Sequence, residues 1–305
     1  MDKPGQRSYS VHNYHNTGRG KVFEEVKAKL GVPYYEEENV LIYNGDSMRL
    51  LPLLGDETIN SVITSPPYNI GKQYASYCDR LPVDEYLNWS REWLSFIPKV
   101  LKKDGSFLLN LGYFEVPGKG RNVPIPYLLW DKIDMYLLQE IVWNYGAGVA
   151  CKKMLSPRNE KWLWYVMDPT RYTFNLDAIR DPDVKYPNQK KNGKLRCNTL
   201  GKNPSDVWQI AKVTSGANRS SVERENHPAQ FPTDLVDRII LGMTNEHDVI
   251  LDPFLGSGST AISALSHGRK CIGFEISEEY CDMAKRRISN YLSSQRSLLS
   301  DRNEI

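Results

Sequence analysis

Val249-Ile250-Leu251-Asp252-Pro253-Phe254-Leu255-Gly256-Ser257-Gly258-Ser259-Thr260 is the stretch that decides the fold of this chain. Val249 to Leu251 reads as a short buried strand, Asp252-Pro253 ends it, and Gly256 and Gly258 let the backbone turn tightly before a helix from Thr260 to Ser266. A strand feeding a glycine turn and a helix receives nucleotide-like ligands, because free N–H groups at the helix start face the turn. The same glycines also serve ordinary strand-to-helix turns, and Asp252 can simply cap one.

Downstream, Cys271 to Glu275 reads as the next strand and Glu278 to Leu292 as a helix. Glu275 stands 17 residues after Gly258, close to the spacing at which an acidic side chain accepts hydrogen bonds from ribose hydroxyls. Its other reading is a neighbour of a helix N-cap, since Ser277-Glu278-Glu279 itself resembles a helix start. Phe254 either stacks on an adenine ring or closes the core. The GxGxxG pattern is incomplete and no GxxxxGK[ST] loop occurs, which argues against a pyrophosphate ligand and for a nucleoside without one. S-adenosylmethionine fits that description.

Upstream, Val40 to Tyr43 reads as a buried strand ending at Asn44-Gly45-Asp46, with a helix following to Leu54. Ile59 to Thr64 is a second apolar run, cut off by Pro66-Pro67, because proline donates no ladder hydrogen bond and forces its predecessor into an extended conformation. Pro82 to Leu101 carries helical spacing, Lys103-Asp104-Gly105 reads as a turn, and Ser106 to Leu111 as a strand. Tyr127 to Leu138 reads as a helix, with strands at Glu140–Asn144 and Trp162–Met167. From Asp168 to Glu225 the periodicity gives way to short polar pieces, and it resumes with a helix over Pro232–Met243. A helix at Lys21–Leu30 and a frayed tail over the last dozen residues complete the reading.

Strand and helix alternate throughout, which predicts an α/β fold: a doubly wound, mainly parallel sheet, Rossmann-like, with a small inserted lobe. The organisation expected is a leader and helix over 1–38, a catalytic half over 39–167, a recognition region over 168–225, a cofactor-binding half over 226–294 and a tail over 295–305. Ligands bind such sheets outside the carboxyl ends of the strands, and Asp46, Ser65, Asp252 and Glu275 each close or follow one.

Composition narrows the class. With 305 residues, 40% hydrophobic and 25% charged, the chain can bury a substantial core. No run reaches the length of a membrane span and Met1 to Gly20 is polar, so the expected location is the cytoplasm. The five cysteines, Cys78, Cys151, Cys197, Cys271 and Cys281, lack CxxC spacing, which predicts reduced thiols and no metal site. The net charge is only +2, yet residues 151–225 hold 15 Lys/Arg against 8 Asp/Glu. This basic stretch is either a solvated surface or one that faces nucleic-acid phosphates. Its candidate contacts are Lys152, Lys153, Arg158, Lys190, Lys191, Lys194 and Arg196.

Ser65-Pro66-Pro67-Tyr68 is the candidate catalytic segment. An exocyclic base amine is a poor nucleophile, because its lone pair is delocalised into the ring, and fixed acceptors for both N–H bonds rehybridise it. Ser65 and the Pro66 carbonyl can serve, with Pro67 stiffening the loop and Tyr68 stacking on an extruded base.

These residues resemble the β class of S-adenosylmethionine-dependent DNA amino-methyltransferases, typical of bacterial modification systems. The similarity runs from Val40 to Ile288, and 168–225 resembles the family's variable target-recognition region. Thr64 to Tyr68 matches the (S/D/N)PP(Y/F) catalytic motif and Asp252 to Thr260 the DPFxGSGTT-type cofactor motif. Phe274-Glu275-Ile276 with Tyr280, Ala284 and Arg287 matches the ribose-binding strand and helix. His227-Pro228-Ala229-Gln230-Phe231-Pro232 looks like the family's H-P-x-Q-K-P segment, with Phe231 where lysine is common, and Asn44-Gly45-Asp46 resembles the segment approaching adenine. The resemblance thus implies cofactor contacts from Asp46, His227, Pro228, Gln230, Asp252, Pro253, Phe254, Gly256, Ser257, Gly258, Thr260 and Glu275.

Catalytic motif first, recognition region next and cofactor glycines last is the order of this class. In the family, serine at the first catalytic position usually accompanies cytosine-N4 methylation, and aspartate or asparagine adenine-N6. The resemblance implies duplex DNA as partner, a monomer or homodimer bound at the bacterial nucleoid, and a separate cognate restriction endonuclease. Two other readings are an adenine-N6 enzyme on the same scaffold and a catalytically idle DNA-binding protein. Carbon-5 methylation needs a cysteine nucleophile, which its family places after proline, and no cysteine here follows one.

Overall fold

Val40–Asn44 and Val249–Asp252 are continuous apolar runs because both of their faces are covered, as in the interior of a parallel sheet. The computed structural model describes residues 21–303 apart from 75–78, 147, 149, 214–220 and 222. The polar leader through residue 20 and Cys78 lie outside the described residues.

In chain order the strands are β1 (Tyr35–Glu37), β2 (Val40–Asn44), β3 (Ile59–Thr64), β4 (Leu101–Leu111), β5 (Tyr113–Val116), β6 (Gly120–Pro124), β7 (Tyr136–Asn144), β8 (Asn159–Val166), β9 (Lys190–Lys191), β10 (Lys194–Leu195), β11 (Val207–Gln209), β12 (Val249–Asp252) and β13 (Lys270–Glu275). The main sheet runs β1-β2-β13-β12-β3-β4-β8-β7-β11. Strands β2, β13, β12, β3 and β4 are mutually parallel, β8 runs against β4 and β7, and β11 is parallel to β7.

Alternation along these strands sorts the core into two layers. Leu41, Tyr43, Val62, Phe107, Leu251 and Ile272 face one side, against helices Lys21–Leu30 and Val83–Leu94 through Phe23, Val26, Tyr86 and Trp93. Val40, Ile42, Ile63, Leu108, Ile250 and Cys271 face the other, against helices Thr233–Met243, Ser259–Ser266 and Glu278–Asn303 through Leu235, Ile239, Ala261, Cys281 and Ile288. The doubly wound, mainly parallel α/β sheet is as expected.

Several elements differ from their sequence reading. The helix expected over Tyr127–Leu138 shrinks to Pro126–Leu129, and β7 begins at Tyr136, because pairing with β8 outweighs the local helical spacing. Lys103-Asp104-Gly105 is not a turn between elements. It sits inside β4 as an irregularity, where Ile59 pairs with Leu101 but Ser61 with Ser106. The last helix continues to Asn303 rather than fraying after Leu292. Within 168–225, β11 joins the edge of the main sheet, and β9–β10 form a hairpin turned by Asn192 and Gly193, both at positive φ. None of the helices among the described residues is long and apolar enough to cross a membrane.

Candidate active site

The carboxyl ends of β2, β13, β12 and β3 share one edge of the sheet, so the segments that leave them meet there. A buried clip joins the two motif strands. Asp252 accepts hydrogen bonds from Thr64 Oγ1 and Thr260 Oγ1, both at 2.6 Å, and from the Phe254 N–H at 3.1 Å. Burial pushes the Asp252 carboxyl up to about 6, against the pull of the two threonine hydroxyls.

Two adjoining clefts open above this clip. The first is walled by Asp46, Ser47, Pro67, Tyr74, Trp89, His227, Pro253, Phe254, Gly256, Ser257, Glu275, Ile276 and Tyr280. The second is walled by Pro66, Tyr68, Asn110, Gly112, Tyr145, Glu160, Lys212 and Pro228. Ser65, Tyr74, Ala229, Gln230 and Phe231 belong to both, so Ser65 stands on the wall the clefts share.

In the first cleft, Gly256 has φ +53° and a Cβ there would lie 2.8 Å from His227 Nε2, so the close approach of His227 requires glycine. His227 Nδ1 accepts from the Ala229 N–H at 3.3 Å, which leaves Nε2 as the N–H that faces Gly256. Burial, with Arg287 and Lys72 nearby, lowers the His227 pKa to about 4 and keeps the ring neutral. Glu275 accepts from Gly256 N at 2.8 Å and Ser277 N at 2.9 Å, and burial raises its pKa. It holds the glycine turn and the next helix start, as its helix-start reading expects, and it also lines the cleft. Phe254 closes the core, packing edge-on at 5.0 Å against Trp93 and 5.7 Å against Trp89, and it also lines the cleft. Asp46 caps the following turn by accepting from Met48 N at 2.9 Å.

Some expected cofactor residues do other work. Asp252 and Thr260 are fully buried in the clip and do not line the first cleft. Gly258 packs on the last helix, where a Cβ would sit 3.0 Å from Ala284 Cβ. Pro228 faces the second cleft, and its carbonyl accepts from Lys72 Nζ at 3.3 Å.

The second cleft is organised by hydrogen-bond direction. Asn110 Nδ2 donates to the Lys161 carbonyl at 3.2 Å, so Oδ1 faces the cleft, where the Tyr68 hydroxyl donates to it at 2.6 Å. With that proton committed, the Ser65 hydroxyl donates to Tyr68 at 2.9 Å, and its lone pairs remain as acceptors for a substrate N–H. Glu160 Oε2 lies 3.2 Å from the Tyr68 hydroxyl, and Glu160 Oε1 pairs with Lys212 Nζ at 2.6 Å. The Lys212 ammonium also sits 3.8 Å from the Tyr145 ring centre. Burial holds the Tyr68 phenol well above its ordinary pKa, so it stays protonated. A Cβ at Gly112 would lie 2.9 Å from the Tyr68 ring. Beyond Tyr68, buried Asp79 accepts from Asn69 N, Ile70 N and Lys72 N, which fixes the exit of the catalytic loop.

The basic candidates divide. Lys152 and Lys153 are exposed beside the second cleft, in the segment leading to Pro157 at its rim. Lys190, Lys191 and Lys194 are exposed on the β9–β10 hairpin, and Arg196 follows them with Nη1 3.3 Å from Gln189 Oε1. These four line neither cleft. Arg158 is half-buried, with Nη1 so close to Gly148 that a Cβ there would lie 2.4 Å from it.

Sequence reasoning missed Trp89, Tyr74, Asn110, Glu160, Lys212 and Asp79. Asn110 was discoverable, as the polar residue near the carboxyl end of the apolar run Phe107–Leu111. Glu160 and Lys212 were not, because an antiparallel strand and the segment after β11 bring them in.

A mainly parallel sheet with two adjoining clefts that meet at a proline-stiffened serine, outside the carboxyl ends of the strands, has the layout of an α/β enzyme. The N6/N4 DNA methylase family profile matches residues 59–286. The chain is 55% identical to the Type II methyltransferase M.ScaI of Streptomyces caespitosus, over 88% of this chain and 89% of that one. It is 34% identical to the DNA adenine methyltransferase YhdJ of Escherichia coli, over 83% and 84%. The solved PvuII DNA methyltransferase, described as cytosine-N4-specific, shares the fold with a TM-score of 0.64 at 24% identity, over 83% of this chain and 87% of that one. This chain belongs to the N6/N4 DNA methylase family and is a DNA methyltransferase.

Proposed function

We propose that the chain is a site-specific Type II DNA methyltransferase that moves a methyl group from S-adenosylmethionine to the N4 amine of a cytosine flipped out of duplex DNA. The observation that carries this is the position of Ser65 on the wall common to both clefts.

The first cleft fits the donor. Among the described residues its lining holds two carboxylates, Asp46 and Glu275, a neutral histidine and several aromatic rings, and no lysine or arginine. That charge suits a cationic sulfonium on a nucleoside and disfavours a pyrophosphate. When bound, S-adenosylmethionine supplies an electrophilic methyl group on a sulfonium, which becomes a neutral thioether when the C–S bond breaks. Glu275 and Asp46 would accept from the nucleoside's hydroxyl and amine groups, with Gly256 and Ser257 beneath.

In the second cleft, Ser65 Oγ accepts one N–H of the target amine, and the Pro66 carbonyl accepts the other. Fixed acceptors draw the nitrogen toward tetrahedral geometry at no reorganisation cost in the transition state. The nitrogen lone pair forms the new C–N bond. The nitrogen then sheds one proton to Ser65 Oγ as Ser65 passes its own to Tyr68, and Tyr68 turns its proton from Asn110 to the Glu160 carboxylate 3.2 Å away. Tyr68, set against Gly112, offers its ring to the extruded base.

Ser65 supports cytosine through the family correlation, and Lys212 adds a physical argument. Cytosine carries an acceptor oxygen at C2, where adenine presents C–H, and an ammonium in the cleft rewards the former. The likeness to YhdJ keeps adenine-N6 as the competing reading.

Incubation with mixed-sequence DNA and labelled S-adenosylmethionine, followed by digestion to nucleosides and mass analysis, tests the proposal. N4-methylcytosine is expected. N6-methyladenine would transfer the mechanism to the other base, and cofactor binding without any methylated base would leave a DNA-binding protein.

A further inference from the structure

One exposed apolar residue stands apart by its setting. Leu155 is 95% exposed, and it is preceded by Lys152, Lys153 and Met154, all exposed. These four residues are the tip of a loop closed at its base, where the Cys151 N–H donates to Ser156 Oγ at 2.9 Å. The loop is anchored at the rim of the second cleft. Asn122, part of that cleft's wall, donates to Met154 Sδ at 3.4 Å, and Pro157, two residues past Leu155, lines the same cleft. Leu155 and Val32 are equally exposed and neither lines a cleft, but no residue within two positions of Val32 does so, whereas Pro157 lies two residues past Leu155.

We propose that Leu155 is a wedge that enters the base stack of duplex DNA and occupies the place vacated by the flipped target base. The inference rests on the function proposed above and extends it to how the base is extruded. Removing a base from the stack breaks stacking and pairing, and an apolar side chain in the gap recovers part of that cost by covering the exposed faces of the neighbouring bases. The lysines on the same tip contact the phosphates on either side, so the loop presents charge to the backbone and hydrocarbon to the stack. The hydrogen bond at the loop's base holds its two ends together, which lessens the backbone entropy the tip loses on contact.

The wedge acts only on a target that must be unstacked, and this sets the test. Leu155→Ala and wild type are compared on a duplex carrying the site mapped by sequencing methylated DNA, and on the same duplex with a mispaired base opposite the target. On the paired duplex the variant's turnover is expected to fall at least tenfold. On the mispaired duplex it returns to within about twofold of wild type, because a mispaired base is already loosened. Leu155→Phe retains activity on both, and S-adenosylmethionine affinity and melting temperature stay unchanged in both variants. An equal loss on the two duplexes, or no loss on the paired one, overturns the proposal. So does a variant that differs only in oligomeric state by sedimentation, which would assign Leu155 to contact with a second copy. If the wild type methylates no DNA at all, the proposed function falls and the wedge with it. If the wild type is active and only the duplex dependence is missing, the wedge alone falls.

Discussion

Thr64 Oγ1 donates to Asp252 Oδ1 at 2.6 Å, joining the last residue of β3 to the last residue of β12 across 188 positions of sequence. The bond sets the serine-proline loop beside the glycine turn, because Ser65 follows the first partner and Pro253 the second. The two clefts share a wall as a consequence.

Replacing Asp252 should therefore damage the fold before it damages binding chemistry. Asp252→Ala leaves two threonine hydroxyls buried without their acceptor, at about 1–3 kcal/mol for each, and removes the acceptor of the half-buried Phe254 N–H. Urea unfolding should show a loss of stability of that order, read as the midpoint shift multiplied by the denaturant slope. Asp252→Asn, which keeps an acceptor and adds a donor, should lose much less.

The same residue predicts a pH effect. The folded value of about 6 lies above the ordinary 3.8, so between those limits the folded chain holds a proton that the unfolded chain has released. Its contribution to stability is fully present below pH 4 and lost as pH rises through 6, worth about 3 kcal/mol at most. Melting temperatures of Asp252→Asn relative to wild type, measured from pH 4 to 7, should improve steadily across that window. A constant difference would count against a titrating Asp252.

Ser65→Ala should separate chemistry from cofactor binding. Loss of a fixed acceptor in the transition state is expected to lower turnover by roughly 10²-fold or more, while calorimetric affinity for S-adenosylmethionine changes little. The reverse pattern would remove Ser65 from the chemistry. Asn110→Ala should lower turnover in the same direction, because it frees the Tyr68 proton that orients Ser65.

Gly256→Ala should show the opposite division. The added methyl group meets His227, and positive φ penalises any side chain there. Cofactor affinity is expected to drop at least about tenfold, with the melting temperature changed by only a few degrees. Unaltered affinity would place the ligand elsewhere.

His227, lowered to about 4, should be neutral throughout the range near neutrality. An NMR titration of its ring protons should show no midpoint between pH 5.5 and 8, and cofactor affinity should carry no histidine-type inflection there. The unfolded chain binds the extra proton between pH 4 and 6.5, so this residue's contribution to stability is lost as pH falls through that window.

Local sequence determined the parallel core. Val40–Tyr43, Ile59–Thr64, Val249–Leu251 and Cys271–Glu275 are strands both in sequence and in structure, since short apolar runs bounded by Gly, Pro and Asp carry their own start and stop signals. It also determined the glycine turn and the rigid serine-proline loop, whose conformations are set by φ restrictions within a few residues. Tertiary structure alone decided what pairing across the chain controls. It turned Tyr136–Leu138 from expected helix into β7, buried Asp252 and Thr260 in a clip away from the cleft, and brought Glu160 and Lys212 beside Ser65. A side chain's burial and its hydrogen-bond partners depend on neighbours supplied by distant segments. Local preference fixes the backbone at a motif, and only the assembled sheet fixes which of its side chains reach the cleft.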